Sequence, residues 1–289
     1  MTKNSISYYI KFFTEQLQPF YNTAKVDVMS VFCDVLNVEN TYLYLNNNEL
    51  VDEKYLHEIS ERISRYKNGE PLAYILGYKY FWNQKLIVNE HTLIPRADTE
   101  VLIEAVLNDF TDIKADFRIL DLGTGTGAIA LALADEYKNS KVIAVDFSDK
   151  ALQIARQNAE FNDISNVEFI QSDWYSLLNN IQFDIIVSNP PYIDIGDTNI
   201  DSEVLKYEPS SALFAANNGL SDIHKIVNSA NKHLKNNGTI YIEHGYTQSE
   251  DVQNILANNG FENIKTIKDL NDKDRCTTAS KNTFKSNLV

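Results

Sequence analysis

Residues 118–134 leave little choice about how this chain can fold locally. Arg118-Ile-Leu-Asp-Leu122 reads as a short buried strand, and glycines follow at positions 123, 125 and 127. Ala128-Ile-Ala-Leu-Ala-Leu-Ala134 then begins a helix. Glycines at a strand-to-helix turn let a ligand approach the backbone closely and offer it the helix N-terminus. Lys141–Val145, Val167–Gln171 and Phe183–Ser188 read as further strands. From Arg118 onward strands alternate with helical stretches, which predicts an α/β fold with a parallel sheet and right-handed crossovers. Ligands bind such sheets at the carboxyl ends of the strands.

Each of four strand ends offers one piece of a site. Gly123-x-Gly125-x-x-Ala128, with Asp146 about twenty positions on, loosely fits a dinucleotide fingerprint. A carboxylate at Asp146 can accept from two ribose hydroxyls, of a nicotinamide cofactor or of S-adenosylmethionine (SAM) alike. Three details favour SAM. Asp121 would repel a pyrophosphate but suits a ligand that carries an ammonium and a sulfonium. Ser172-Asp173-Trp174 ends the third strand, where an acidic side chain can accept from an adenine amino group and an aromatic or peptide plane can cover the ring. The fourth strand delivers Asn189-Pro190-Pro191-Tyr192, which has no role in hydride transfer. The candidate cofactor residues are Asp121, Gly123, Thr124, Gly125, Thr126, Gly127, Asp146, Asp173, Trp174 and Asn189.

The prolines hold each preceding residue extended and remove backbone donors. The corner is therefore rich in acceptors, namely the Asn189 side-chain oxygen and the Pro190 carbonyl, with Tyr192 as a flat wall. It suits a planar –NH2 group with two N–H bonds to give. Asn189, Pro190 and Tyr192 are the candidate catalytic residues, and Pro191 joins them in the substrate-binding set. A plain turn is the simpler reading of Asn-Pro-Pro taken alone.

Together these motifs resemble the class I SAM-dependent methyltransferases that act on planar amino groups, and among them the HemK/PrmC family. That family methylates a glutamine side-chain amide in peptide-chain release factors. The likeness extends to Gly69–Gly77, Leu93–Glu100, Glu208-Pro209 through Leu213, Glu243-His244-Gly245, and Asp269 to Arg275. It departs at Ala97, where proline is common, and at Asn271-Asp272-Lys273. The resemblance implies a Rossmann-like sheet with a reversed final strand, SAM as cofactor, and the Gly-Gly-Gln loop of release factors as target. The same corner would serve the N6 amine of adenine or the N2 amine of guanine in DNA or RNA, so the motif does not by itself choose amide over base. A catalytically idle SAM-binding scaffold is a reading from another class.

The formal net charge of −14 speaks against nucleic acid as the main partner, since phosphate-tracking surfaces are basic. An acidic surface suits a basic protein partner. Cys33 and Cys276 lie far apart, and the five histidines form no metal-ligand pair with either. No disulfide framework and no metal are expected. The start of the chain reads as an amphipathic helix rather than a signal sequence, and no apolar run reaches the length of a membrane span. A cytoplasmic monomer is the expectation.

Apolar residues recur at helical spacing from Ser7 to about Lys67, with breaks at Pro19 and Asn46–Asn48. These predict an N-terminal helical bundle domain over 1–75, to which the resemblance assigns substrate recognition. A β-hairpin linker is expected over 76–95 and the methyltransferase domain over 96–289. Residues 193–213 read as a long irregular loop, and the tail from about Lys281 as frayed.

Overall fold

The computed structural model describes residues 2–197 and 202–281. The chain forms two units, one running to Gly77 and including Ser202–Tyr207, the other taking up the described remainder from Tyr78. Helical spacing of apolar residues builds the first unit from α1 (Ile6–Leu17), α2 (Ala24–Leu36), α3 (Asn40–Leu45), α4 (Glu53–Lys67) and α5 (Leu72–Leu76). Phe13, Leu17, Val28, Phe32, Ile59 and Ile63 meet in its core. Ser5 caps α1 by accepting from the Tyr8 N–H, and Asp52 caps α4 by accepting from Lys54. Tyr21 stacks on Tyr66 at 4.2 Å, and the Tyr66 hydroxyl donates to Asp27 at 3.0 Å.

The second unit opens with the hairpin β1 (Tyr78–Phe81) and β2 (Gln84–Ile87), then α6 (Glu100–Asp109). The alternating elements follow: β3 (Arg118–Leu122), α7 (Ala128–Glu136), β4 (Lys141–Asp146), α8 (Asp149–Phe161), β5 (Val167–Gln171) and β6 (Phe183–Ser188). Next come β7 (Ile193–Asp194), α9 (Ser202–Tyr207, in the first unit), β8 (Phe214–Ala215), α10 (Ser221–His233), β9 (Leu234–Glu243), α11 (Ser249–Asn258), β10 (Phe261–Lys268) and β11 (Asp274–Lys281). Seven strands form one sheet in the order β10-β11-β9-β6-β3-β4-β5. β3 pairs in parallel with β4 and β6, and β6 with β9, whereas β11 runs antiparallel to both its neighbours. That is the reversed final strand the resemblance implied.

Strand alternation sorts the core into two layers. Ile119, Ile185, Val187 and Tyr241 face α6 and α7, while Leu120, Leu122, Ile186, Ile240 and Ile242 face α10 and α11. Every residue of α7 from Ala128 to Ala134 is buried. Its alternate alanines let the helix lie close on the sheet and bring the glycine turn tight against the strand end.

The segment expected to be a linker is built into this unit. Phe81 and Leu86 belong to its core. Buried Asn158 on α8 accepts from the Ile87 N–H at 2.6 Å and donates to the carbonyls of Ile87 and Thr126. One side chain thus holds the hairpin and the glycine turn together. The stretch 193–213 is more regular than expected, because β7 pairs with β8 in parallel and a 3₁₀ turn covers Ser210–Ala212. Elements this short leave no periodic trace in sequence. Residues 198–201 of that stretch, and the tail after Lys281, lie outside the described residues.

Candidate active site

The site assembles at the carboxyl ends of β3, β4, β5, β6 and β9. Gly123, Gly125 and Gly127 all have positive φ, at +75°, +55° and +83°, a conformation that only glycine adopts freely. Around Gly125 nothing lies within 4 Å of where a Cβ would stand, so its backbone is open to a ligand. Its N–H donates to Asp146 Oδ2 at 2.8 Å, and Ser148 N–H donates to Oδ1 at 2.8 Å. These donors position the Asp146 carboxylate. Burial raises its pKa against their opposing pull.

Asp121 is fully buried at the end of β3. Thr124 Oγ1 donates to its Oδ2 at 2.6 Å, while Oδ1 is buried without a hydrogen-bond partner. Burial pushes the carboxyl up to about 7, and Asp146 adds to the rise, against the pull of Thr124 and the Ala130 N–H. A buried acceptor with an unmade bond is costly, and a cationic ligand would complete it. Asp121, the open Gly125 backbone and Asp146 thus fit the amino-acid and ribose parts of SAM.

Thr124 and Thr126 are both buried, and each serves the turn: Thr124 orders Asp121, and the Thr126 carbonyl anchors Asn158. Asp173 is exposed beyond β5. Trp174 takes the left-handed conformation at φ 47°, and its indole lies beside Gly123, where a Cβ would stand 3.4 Å from the ring. The structure thus sets Trp174 under the glycine turn, partly buried against the core. Phe147 stands 77% exposed directly after Asp146. No motif drew attention to it, although an apolar residue following an acidic strand end is a visible signal.

Asn189 Nδ2 donates to Thr99 Oγ1 at 3.2 Å. With the amide nitrogen engaged, Oδ1 is the acceptor left to a ligand, and among the described residues no donor reaches the Pro190 carbonyl. Two residues the sequence reading passed over lock this corner. Gln248 Nε2 donates to the Tyr192 carbonyl at 3.0 Å. Gly219, at φ +80°, passes so close that a Cβ there would lie 2.0 Å from the same oxygen. Asn217-Asn218-Gly219 is a legible turn signal, but its long-range target is not legible.

Behind the corner, the Tyr192 hydroxyl donates to Glu243 Oε1 at 3.3 Å. Glu243 is buried at the end of β9, and burial pushes it up to about 7 against Thr99, Arg275 and Tyr192, which favour its charge. Arg275 bridges Asp269 at 3.0 Å and Asp98 at 3.3 Å. Arg96 pairs with buried Glu208 at 2.5 Å, and Glu208 also accepts the Ile94 N–H at 3.1 Å. This ties the stretch entering α6 to the Glu208-Pro209 segment.

Sheet order, reversed strand and glycine turn define a methyltransferase of the class that uses SAM. A family model for a methyltransferase domain matches residues 113–285, and one for the PrmC N-terminal domain matches residues 9–77. The release factor glutamine methyltransferase of Francisella tularensis subsp. tularensis is 56% identical over 257 residues, 89% of this chain and 90% of that protein. The protein of the same name from Aliivibrio fischeri is 41% identical over the same shares. A methyltransferase structure from Pyrococcus furiosus is 21% identical, covers 77% of this chain and 98% of that one, and has a TM-score of 0.52; it bears on the fold alone. The chain belongs to the release factor glutamine methyltransferases.

Proposed function

We propose that this chain transfers a methyl group from SAM to the side-chain amide nitrogen (N5) of the glutamine in the Gly-Gly-Gln motif of peptide-chain release factors. The observation that carries the reading is the Asn189 amide, whose nitrogen is engaged by Thr99 and whose oxygen is free. Bound SAM supplies an electrophilic methyl group on a sulfonium. The cofactor would be held by Asp121, the backbone of Gly123 to Gly127, and Asp146, with Asp173, Trp174 and Phe147 around the adenine end.

A carboxamide nitrogen is a poor nucleophile because its lone pair is delocalised into the carbonyl. It needs positioning more than a strong base. Asn189 Oδ1 and the Pro190 carbonyl each accept one N–H and so fix the direction of the lone pair. Positioning of this kind is worth up to ~7–11 kcal/mol in the most favourable intramolecular models. Positive charge grows on nitrogen during transfer, so the same two oxygens also stabilise the transition state; the sulfur would leave as a neutral thioether, and the methylated nitrogen would give up one N–H proton to solvent. Tyr192 packs on the amide plane and excludes water.

The helical unit is assigned to substrate recognition, which its match to the PrmC N-terminal model supports. Among the described residues no helix is long and apolar enough to cross a membrane. In this reading the enzyme is a cytoplasmic monomer, and its acidic surface favours a protein partner over nucleic acid. Asn189→Ala tests the central assignment. kcat for labelled-methyl transfer should fall by ~10²–10³, with KM for the release factor changed less than about threefold. Wild-type turnover would overturn the assignment.

A further inference from the structure

The connection from β9 to α11 reaches back to Tyr192, and its own footing is firm. The His244 N–H donates to the Arg275 carbonyl on β11 at 2.9 Å. The buried His244 ring spans from Thr277 Oγ1, 2.8 Å from Nε2, to the Gly245 carbonyl, 2.9 Å from Nδ1. A carbonyl only accepts, and burial disfavours a second proton on the ring. Nδ1 therefore carries the hydrogen and Nε2 accepts from Thr277. Gln248 closes the connection, its backbone N–H donating to the same Gly245 carbonyl at 2.9 Å.

The Gln248 side chain then makes three hydrogen bonds that fit only one orientation of its amide. Oε1 accepts from the Gly245 N–H at 2.9 Å, while Nε2 donates to the carbonyls of Tyr192 at 3.0 Å and Asn218 at 2.9 Å. Turned over, the amide would set its NH2 against an N–H and its oxygen against two carbonyls. Gly245 leaves the room for this contact, since a Cβ there would stand 3.0 Å from Gln248 Oε1 and 3.7 Å from Tyr192 Cδ2. One side chain thus gathers the Asn189–Tyr192 segment, the 217–219 turn and the end of β9. The two prolines stiffen the segment between Asn189 and Tyr192. A hold on the Tyr192 carbonyl is therefore felt at the other end of the corner.

We propose that Gln248 is a positioning residue for methyl transfer. Oriented by Gly245, it holds the Tyr192 carbonyl and so sets the Asn189 and Pro190 acceptors in place before the substrate amide arrives. The inference rests on Asn189 and Pro190 as those acceptors. The three bonds of Gln248 go to none of Asp121, Gly123 to Gly127 or Asp146, so cofactor binding is not its task.

The test measures kcat, KM for the release factor and Kd for SAM in Gln248→Met and Gln248→Glu, each alone and combined with Asn189→Ala. Gln248→Met keeps the shape and loses all three bonds. Gln248→Glu, at about pH 8 where a carboxyl is ionised, keeps the bond from Gly245 and faces the two carbonyls with no donor. Each single variant should lower kcat on the order of 10–10²-fold, with Kd for SAM within about threefold of wild type. Added to Asn189→Ala, either should cost less than about threefold more, because the acceptor it positions is already gone. Wild-type kcat in Gln248→Glu would overturn the inference. So would a loss that multiplies in full with that of Asn189→Ala, or SAM binding that weakens as much as kcat falls, since both mark a merely structural role. Should Gln248→Met not fold, Gln248→Glu decides. Asn189→Ala separates the readings: if it turns over normally, the assignment of Asn189 falls; if it is inactive while the Gln248 variants behave as wild type, only this inference falls.

Discussion

Asp121, a candidate cofactor residue, shows how burial can set the protonation of a side chain. Its folded pKa lies above the ordinary value of 3.8, at about 7. The unfolded chain releases this proton near 3.8 and the folded ligand-free protein holds it to about 7. This group's contribution to stability is therefore fully present below the lower value and is lost as pH rises to the upper one. A bound cation relieves the buried charge, so SAM affinity should strengthen from pH 6 to pH 8, by up to about tenfold from this group. Asp121→Asn should abolish that trend and weaken SAM binding by at least about tenfold. It should also raise the melting temperature of the ligand-free protein at pH 8 by a few degrees, roughly 2–4 °C per kcal/mol recovered. Thermal shifts with and without SAM at both pH values check all three. A variant that binds SAM as tightly as wild type would show that Asp121 does not face the cofactor.

At the scale of elements, two glycines with the same backbone requirement have opposite consequences. Gly219 leads into α10, and any Cβ there collides with the Tyr192 carbonyl at 2.0 Å and with Gln248 Nε2 at 2.7 Å. Gly219→Ala must displace the Asn189–Tyr192 segment, so kcat should fall at least ~10-fold and stability by roughly 2 kcal/mol or more. Gly125 has open space at the same point and only its positive φ to satisfy. Gly125→Ala should lose only ~1–2 kcal/mol of stability, but its methyl group occupies the space a ligand would approach, so KM for SAM should rise more than kcat falls. Melting curves and initial rates on the two variants distinguish these patterns; equal effects on KM would contradict the assigned roles. Neither contrast is visible in the sequence. The glycine pattern at 123–127 sits between a strand and a helix and announces itself, whereas Gly219 meets Tyr192 only after the chain has folded back.

Across the whole molecule, what was legible follows from how local the physics is. β3, β4 and β6 were readable because parallel strands buried inside the sheet are near-continuous apolar runs, and the partly buried edge strand β5 because Val167, Phe169 and Ile170 stand between turn signals. The candidate residues at their ends followed from the strand boundaries. The residues that complete the site are long-range partners: Thr99 for Asn189, Gln248 and Gly219 for Tyr192, Asn158 for the hairpin and the glycine turn. Each is an ordinary polar residue or glycine whose role depends on a strand order that no short window encodes. Glu243 was visible as a strand end, but its burial and its hydrogen bond from the Tyr192 hydroxyl were not. Charge remains the whole-chain property that bears most on substrate. At a formal −14 the chain is poorly suited to tracking phosphates and better suited to a protein partner.

The most direct measurement offers the purified protein and methyl-labelled SAM a release factor, the same factor with Gln→Ala in its Gly-Gly-Gln loop, and total cellular nucleic acid, side by side. Label on the wild-type factor alone is the predicted result. Label on nucleic acid, or equal label on the Gln→Ala factor, would contradict the assignment of the glutamine amide as the methyl acceptor.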